Sequence, residues 1–419
     1  MIEVLVIVGP GLVADDGLLE EIAAREFAAA GVSGTLVHAR DASHVLSLLS
    51  SPSSPGGAGC AVVLPGPSAE VRSLIGRDLG AVVWVDVERA DGVTAGKGAT
   101  HLHGRGISGP AWAIRHAVHR VRHPSRRIAY GPLPEQWGEL YLPDADEPPV
   151  VMLIHGGYWR SIWAADIMGP LCADLARRGL AVWNLEYRRP DLHGWDATTA
   201  DVAAGLAALA TVDVATAALT MAAGSDALPP GADRSPAAAL DLTRVAVVGH
   251  SAGAQLALRA VADAAAGEAG AAGGARAAEG VAGGVGVVMA VSLAGVLDLV
   301  EGDRRWVGTG AVGAALGGRA PGPGEGQAAP PYADASPLLR LPLRVRQLIV
   351  QGAADDLDLV DFSRRYARAA ERAGDDVTYL EMPGDHFDVI NPATPIWQAT
   401  AEAIAHALAP PQGDKTDDK

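Results

Sequence analysis

The sequence predicts an α/β protein with two parallel-sheet domains in tandem, and three observations carry that expectation. Short β-branched runs alternate with stretches of helical period along most of the chain, the pattern of parallel strands covered by helices on both faces. At 419 residues the chain exceeds the usual length of one domain, about 100–200 residues. A basic, proline-bearing joint at 124 to about 131 separates two such alternations. We therefore place a first domain at 1–123, a linker at 124–137, a second domain at 138–409 and a disordered tail at 410–419.

In the first domain, residues 4–8 read as a buried strand ending in the turn Gly9-Pro10-Gly11. Residues 18–30 have helical periodicity and stop at Gly31. A second strand at 34–38, a short helix at 44–49 and a Ser/Pro/Gly loop at 50–59 follow. Residues 60–64 form a third strand, 69–78 a helix, 81–87 a fourth strand and 100–104 a fifth, before a helix from 110 to about 121. His116, His119 and His123 fall on one face of that helix, with His101 and His103 upstream. Arg115, Arg120 and Arg122 intersperse them, and no carboxylate or thiolate stands nearby. That favours a solvated basic face over a metal site.

Three segments of this half carry a resemblance: Gly9-Pro10-Gly11-Leu12, Leu64-Pro65-Gly66-Pro67 and Gly104-Arg105-Gly106-Ile107-Ser108-Gly109. Over residues 1 to about 123 the chain resembles a type II dehydroquinase, which implies a flavodoxin-like fold. That family carries a lid loop with a catalytic Arg and Tyr after the first turn, where this chain passes straight to Val13-Ala14-Asp15-Asp16. Leu64 stands where the family has an Asn, and Asp86 replaces its catalytic His. The resemblance therefore implies a domain that keeps the fold and lacks the dehydratase site. A fused dehydratase is the alternative enzyme reading. Because the family forms large assemblies, homo-oligomerisation through this domain is a third expectation.

In the second domain a strand at 138–142 and an acidic turn precede the apolar strand 150–154, which ends in His155-Gly156-Gly157-Tyr158-Trp159. A helix at 167–178, a strand at 181–187 and a helix at 201–210 follow, and 216–241 reads as an irregular surface excursion. The β-branched run 244–248 drives into Gly249-His250-Ser251-Ala252-Gly253, and a helix-forming stretch continues to 260. The Ala/Gly-rich 264–286 reads as a flexible loop and 287–293 as a strand. The Gly-rich 301–331, weakly helical at 311–316, is a candidate cap. Strands at 343–351 and 377–382 end in Gly352-Ala353-Ala354-Asp355-Asp356 and Pro383-Gly384-Asp385-His386-Phe387, with helices at 362–374 and 395–408.

Acyl transfer by a serine requires a general base on its hydroxyl, an acid orienting that base, and donors for the tetrahedral oxyanion. Gly-x-Ser-x-Gly between a strand and a helix is a nucleophile elbow, so Ser251 is the candidate nucleophile. His386 is the candidate base, being the sole histidine after the last strand apart from the mid-helix His406. Asp355, at the point where its loop leaves the strand, is favoured as the acid, with Asp356 and Asp358 as rivals. Glycines after His155 free backbone N–H groups to turn, which makes Gly157, Tyr158 and Ala252 the expected oxyanion donors. Trp159, Trp163, Tyr187 and Phe387 are candidate pocket residues, and His250 is expected to pack or shape the pocket. Each motif lies at the C-terminal end of an expected strand, where open α/β sheets carry their sites.

With these motifs in order, residues of about 128–409 resemble the His-Gly-Gly esterase/lipase branch of the α/β-hydrolases, and in particular the arylformamidases (kynurenine formamidases). His155-Gly156-Gly157-Tyr158-Trp159 fits the His-Gly-Gly-x-Trp signature, and Gly249-His250-Ser251-Ala252-Gly253 and Asp385-His386-Phe387 match in place. The resemblance implies hydrolysis of an aryl formamide or a small ester. Together the two halves give the fold class: a flavodoxin-like parallel-sheet domain followed by an α/β-hydrolase domain.

A net charge of −16 argues against nucleic acid and anionic membranes as partners. Cys60 and Cys172 are too few for a disulfide framework and lack metal-site spacing. No apolar run reaches the ~20 residues of a membrane helix. With no leader-like N-terminal segment, a cytoplasmic enzyme using no metal or organic cofactor is expected.

Overall fold

The computed structural model describes residues 2–50, 60–212, 239–271, 280–282, 284–322 and 328–410. The chain divides into two compact units: Met1–Ser125 with Arg160–Gly169, and Arg126–Trp159 with Pro170–Lys419.

The first unit holds β1 (Glu3–Val8), β2 (Ser33–His38), β3 (Ala61–Leu64), β4 (Val83–Asp86) and β5 (Thr100–His103). They form one parallel sheet in the order β2-β1-β3-β4-β5, the flavodoxin-like order. Helices cover both faces, which is why β1 is apolar from Val4 to Val8 rather than alternating. Val4, Val6 and Val8 pack with Leu19, Ala23, Ile114 and Val118, while Leu5 and Ile7 pack with Val45, Val71 and Ile75. The helix Asp16–Ala30 is capped by Asp15, whose carboxylate accepts the Leu18 N–H at 2.8 Å, and it ends on Gly31 at φ 60°.

The helix expected over 69–78 stops at Arg72. Beyond it the Ile75 carbonyl accepts the Gly96 N–H at 2.8 Å, so that loop takes the bond a continuing helix would need. The histidine-bearing helix, Gly109–Arg122, is also less solvated than expected. His116 is buried, 3.3 Å from the Thr100 hydroxyl, and Arg115 donates to buried Glu26 at 2.6 and 2.8 Å.

Arg160–Gly169 belongs to this first unit. The Arg105 guanidinium clamps Asp166 through two bonds of 2.6 and 2.7 Å, and its Nε donates to the Ile162 carbonyl at 2.9 Å. Both side chains of the ion pair are buried, and Arg105 lies 4.8 Å over the Trp163 ring. Removing one partner of such a pair strands a buried charge and costs about 3–5 kcal/mol. Arg105→Leu is accordingly expected to destabilise the first unit by that amount, read as a fall in its unfolding midpoint in urea. A midpoint unchanged within error would show the clamp to be idle.

The second unit holds β6 (Arg126–Ala129), β7 (Trp137–Tyr141), β8 (Pro149–Ile154), β9 (Ala181–Leu185), β10 (Asp241–His250), β11 (Gly280–Ala282), β12 (Val285–Leu293), β13 (Arg346–Gly352) and β14 (Val377–Met382). Their order is β14-β13-β12-β10-β8-β9-β7-β6, with β11 paired to β12. From β14 to β9 the pairings are parallel; β7, β6 and β11 join antiparallel. The central strands β8, β10 and β12 are sheathed on both faces, and their long apolar runs made them readable.

Two sequence expectations change here. Residues 126–129, read as linker, form the edge strand β6, whose Arg-Arg-Ile-Ala is too short and polar to signal a strand. Part of 264–286, read as a flexible loop, is ordered: the elbow helix runs Ala252–Ala271, and β11 turns back onto β12. Most of the expected 216–241 excursion, the loop residues 51–59 and the tail residues 411–419 lie outside the described residues. Among the described residues no helix is long and apolar enough to cross a membrane.

Candidate active site

Ser251 sits between β10 and the helix Ala252–Ala271 at φ 56°, a left-handed conformation that a non-glycine residue rarely adopts. Its N–H donates to the Leu293 carbonyl of β12 at 2.8 Å, which holds the strained residue against the sheet. The flanking glycines are required by space. A Cβ on Gly249 would lie 2.1 Å from the Gly253 carbonyl oxygen, and one on Gly253 would lie 2.2 Å from that of Ile154.

The ends of β13 and β14 bring the candidate acid and base together. A Cβ on Gly352 would meet the Gly384 and Asp385 carbonyl oxygens at 2.5 and 2.6 Å, so glycine there lets the two loops close. His386 Nδ1 then lies 2.9 Å from Asp355 Oδ2. Asp355 also accepts from Gln351 Nε2 at 2.8 Å and from the Asp356 N–H at 2.7 Å. Ser363 fixes Gln351 from behind, donating to its Oε1 at 2.8 Å. Burial works to raise the Asp355 pKa, but the bond to His386 and these donors outweigh it, and the carboxyl sits below its ordinary value. The rivals are otherwise engaged. Asp356 caps the helix Leu357–Ala373 through the Asp358 N–H at 2.8 Å, and Asp358 pairs with Arg305 at 2.9 Å.

At the end of β8 the chain turns through Gly157, Tyr158 and Trp159, all at positive φ (113°, 53° and 56°). A Cβ on Gly156 would lie 2.8 Å from the Ser251 Cβ, so this loop runs directly beside the elbow. Ala252 opens the elbow helix, where first-turn N–H groups have no intrahelical partner. His155 anchors the loop's base. Its ring is buried and stacks 4.5 Å from Tyr187, and the Tyr187 hydroxyl donates to the His155 carbonyl at 2.8 Å.

A family model described as alpha/beta hydrolase fold matches residues 151–390, more than half of the chain. The chain belongs to the α/β-hydrolase fold family. Solved structures similar to it include esterase LipW from Mycobacterium marinum, 21% identical with a TM-score of 0.50 over 72% of this chain and 86% of that one. Esterase B from Lactobacillus rhamnosis is 17% identical with a TM-score of 0.50, over 70% and 92% of the two chains. At such identities the likeness extends to the fold alone. None of the curated proteins compared with the chain matches it.

The candidate pocket aromatics of this hydrolase part ways. Trp159 is buried and donates to Gln255 Oε1 at 3.0 Å, so it pins the Gly157–Trp159 turn to the elbow helix rather than lining open space. Tyr187 is likewise buried beneath His155. Trp163 belongs to the first unit, edge-on to Trp112 at 5.7 Å. Phe387 is 44% exposed, its ring edge-on to that of His386 at 5.6 Å.

Two supports escaped the sequence reading. Gln351 lies inside an apolar strand and Gln255 on a helix, and polar residues there carry no motif. Trp306 also escaped it: this tryptophan is 57% exposed and occupies a left-handed turn. Gly308 of the same turn touches the Tyr158 ring, since a Cβ there would lie 2.4 Å from it. The one cue was the unusual Trp306-Val307-Gly308-Thr309-Gly310. Among the described residues no three or more His, Cys, Asp or Glu side chains form a group able to hold a metal ion.

Proposed function

We propose that this protein is a serine hydrolase that cleaves a small ester or aryl formamide through an acyl-enzyme. The observation that carries the reading is the 2.9 Å bond between His386 Nδ1 and Asp355 Oδ2, on the loops beyond β13 and β14 of a sheet whose β10 ends in the Ser251 elbow. With Nδ1–H donated to Asp355, His386 presents Nε2 as the base. It takes the Ser251 proton as Oγ attacks the substrate carbonyl carbon. The tetrahedral oxyanion is held by the N–H groups of Gly157, Tyr158 and Ala252. The imidazolium then returns its proton to the departing alcohol or amine as the C–O or C–N bond breaks. Water, deprotonated by His386, releases the acid and restores Ser251.

The narrower reading is an arylformamidase. It rests on His155-Gly156-Gly157-Tyr158-Trp159 and on the half-exposed Phe387 ring beside His386, which suits an aryl leaving group. A panel of formanilides, short p-nitrophenyl esters and N-formylkynurenine is the test. A kcat/KM for N-formylkynurenine at least tenfold above that for p-nitrophenyl acetate is expected, and parity between them would remove the formamidase reading while leaving the esterase one.

We infer that the first unit performs no dehydratase chemistry. Asp86, at the end of β4, is committed to Arg72 through bonds of 2.7 and 2.9 Å and to His101 at 2.8 Å. Burial opposes ionisation there, yet these partners hold the carboxyl down at about 2, as a structural anion.

A further inference from the structure

His250, the residue before the elbow serine, does more than fill space. Its ring is buried, and its Nε2 lies 3.0 Å from the backbone carbonyl oxygen of His386, 136 residues along the chain. The two imidazole centroids are 4.8 Å apart. On its other side the ring abuts the oxyanion loop, since a Cβ on Gly156 would lie 3.0 Å from His250 Nδ1. One side chain thus touches the loop bearing the expected oxyanion donors and the loop bearing the base, and it is itself bonded in sequence to the nucleophile.

Other bonds around His386 are local to its own loop and to the loop of the acid. The Phe387 and Asp388 N–H groups donate to Asp385 at 2.8 and 3.0 Å, the Asp385 N–H donates to Asp388 at 2.8 Å, and Gly384 accepts from Ala354 at 2.9 Å. These fix the base relative to the acid. The bond from His250 ties the base's own backbone to the strand that carries the serine. We propose that His250 is a positioning residue, whose Nε2–H sets the distance between His386 and Ser251.

That role requires a neutral ring with its proton on Nε2, because a carbonyl oxygen only accepts. Among the described residues Nδ1 is buried with no hydrogen-bond partner, so no acceptor there competes for the ring proton. Burial, then the neighbouring His386, push the His250 pKa down to about 3, so the ring stays uncharged at neutral pH. An uncharged ring also avoids repelling the imidazolium that His386 becomes when it takes the serine proton.

The inference rests on Ser251, His386 and Asp355 acting as a triad, and three variants of the full chain test it. His250→Leu keeps the bulk and removes the donor. His250→Gln places an amide N–H close to where Nε2 stood, and His250→Asn places one too short to reach. A misplacement of about 1 Å costs up to ~10²-fold in turnover. Expected, therefore, is a 10–10²-fold loss of kcat on p-nitrophenyl acetate for Leu and Asn, with KM within threefold of wild type. Recovery to within about fivefold of wild type is expected for Gln. The rate constant for phosphonylation of Ser251 by a fluorophosphonate should fall and recover in the same order. A Leu variant within twofold of wild type, or a Gln variant as impaired as Leu while both melt at the wild-type temperature, overturns the positioning role. If Leu fails to fold, the contrast between Gln and Asn decides it in the same way. Activity persisting in Ser251→Ala would instead overturn the triad reading beneath it.

Discussion

Ser251→Ala is expected to lower kcat for p-nitrophenyl acetate by ~10⁴–10⁶, the loss seen when the nucleophile of a triad is removed and only oxyanion binding remains. The substitution is a fair probe because it adds no strain. Ser251 already holds φ at 56° with a Cβ in place, and alanine keeps that Cβ while deleting only the hydroxyl. The N–H bond to Leu293 and the glycine approaches that shape the elbow are untouched. The melting temperature should stay within a few degrees of wild type, so lost turnover reports chemistry. KM should change little, because the hydroxyl contributes to the transition state rather than to substrate affinity.

Asp355→Asn is expected to cost ~10⁴ in kcat, with the fold retained. The carboxylate accepts three hydrogen bonds: Gln351 and His386 at one oxygen, the Asp356 N–H at the other. An asparagine amide satisfies at most one side of this arrangement. If its oxygen stays toward the Asp356 N–H, its NH₂ faces His386 Nδ1. The imidazole must then accept at Nδ1 and carry its proton on Nε2, the nitrogen required as base. Asp356→Ala provides the contrast. It removes the cap of the helix Leu357–Ala373, costs about 1 kcal/mol of stability and leaves kcat within a few-fold. A variant pair with these effects reversed would transfer the acid's role to Asp356.

Much of the candidate site was legible because its motifs are forced by space. Gly249 and Gly253 are glycine because backbone oxygens lie 2.1 and 2.2 Å from where their side chains would start, and such necessity leaves a mark in sequence. The sheet was legible for a similar reason: strands buried on both faces, such as β1, β8 and β12, read as unbroken apolar runs. Illegible features were those with weak local chemistry. The edge strand β6 buries too little to show a pattern, and low-complexity Ala/Gly sequence concealed the continuation of the elbow helix to Ala271. Supports such as Gln351, Ser363 and Gln255 matter only through partners elsewhere in the chain, which no local pattern encodes.

The central claim is that Ser251 is the nucleophile of a hydrolase whose base is His386. Fluorophosphonate titration of the full chain, followed by intact mass and peptide mapping, tests it most directly. The expected result is one adduct per chain, located on Ser251, with esterase activity falling in proportion to labelling. Full activity in a stoichiometrically labelled protein, or an inactivating adduct on any other residue, would contradict it.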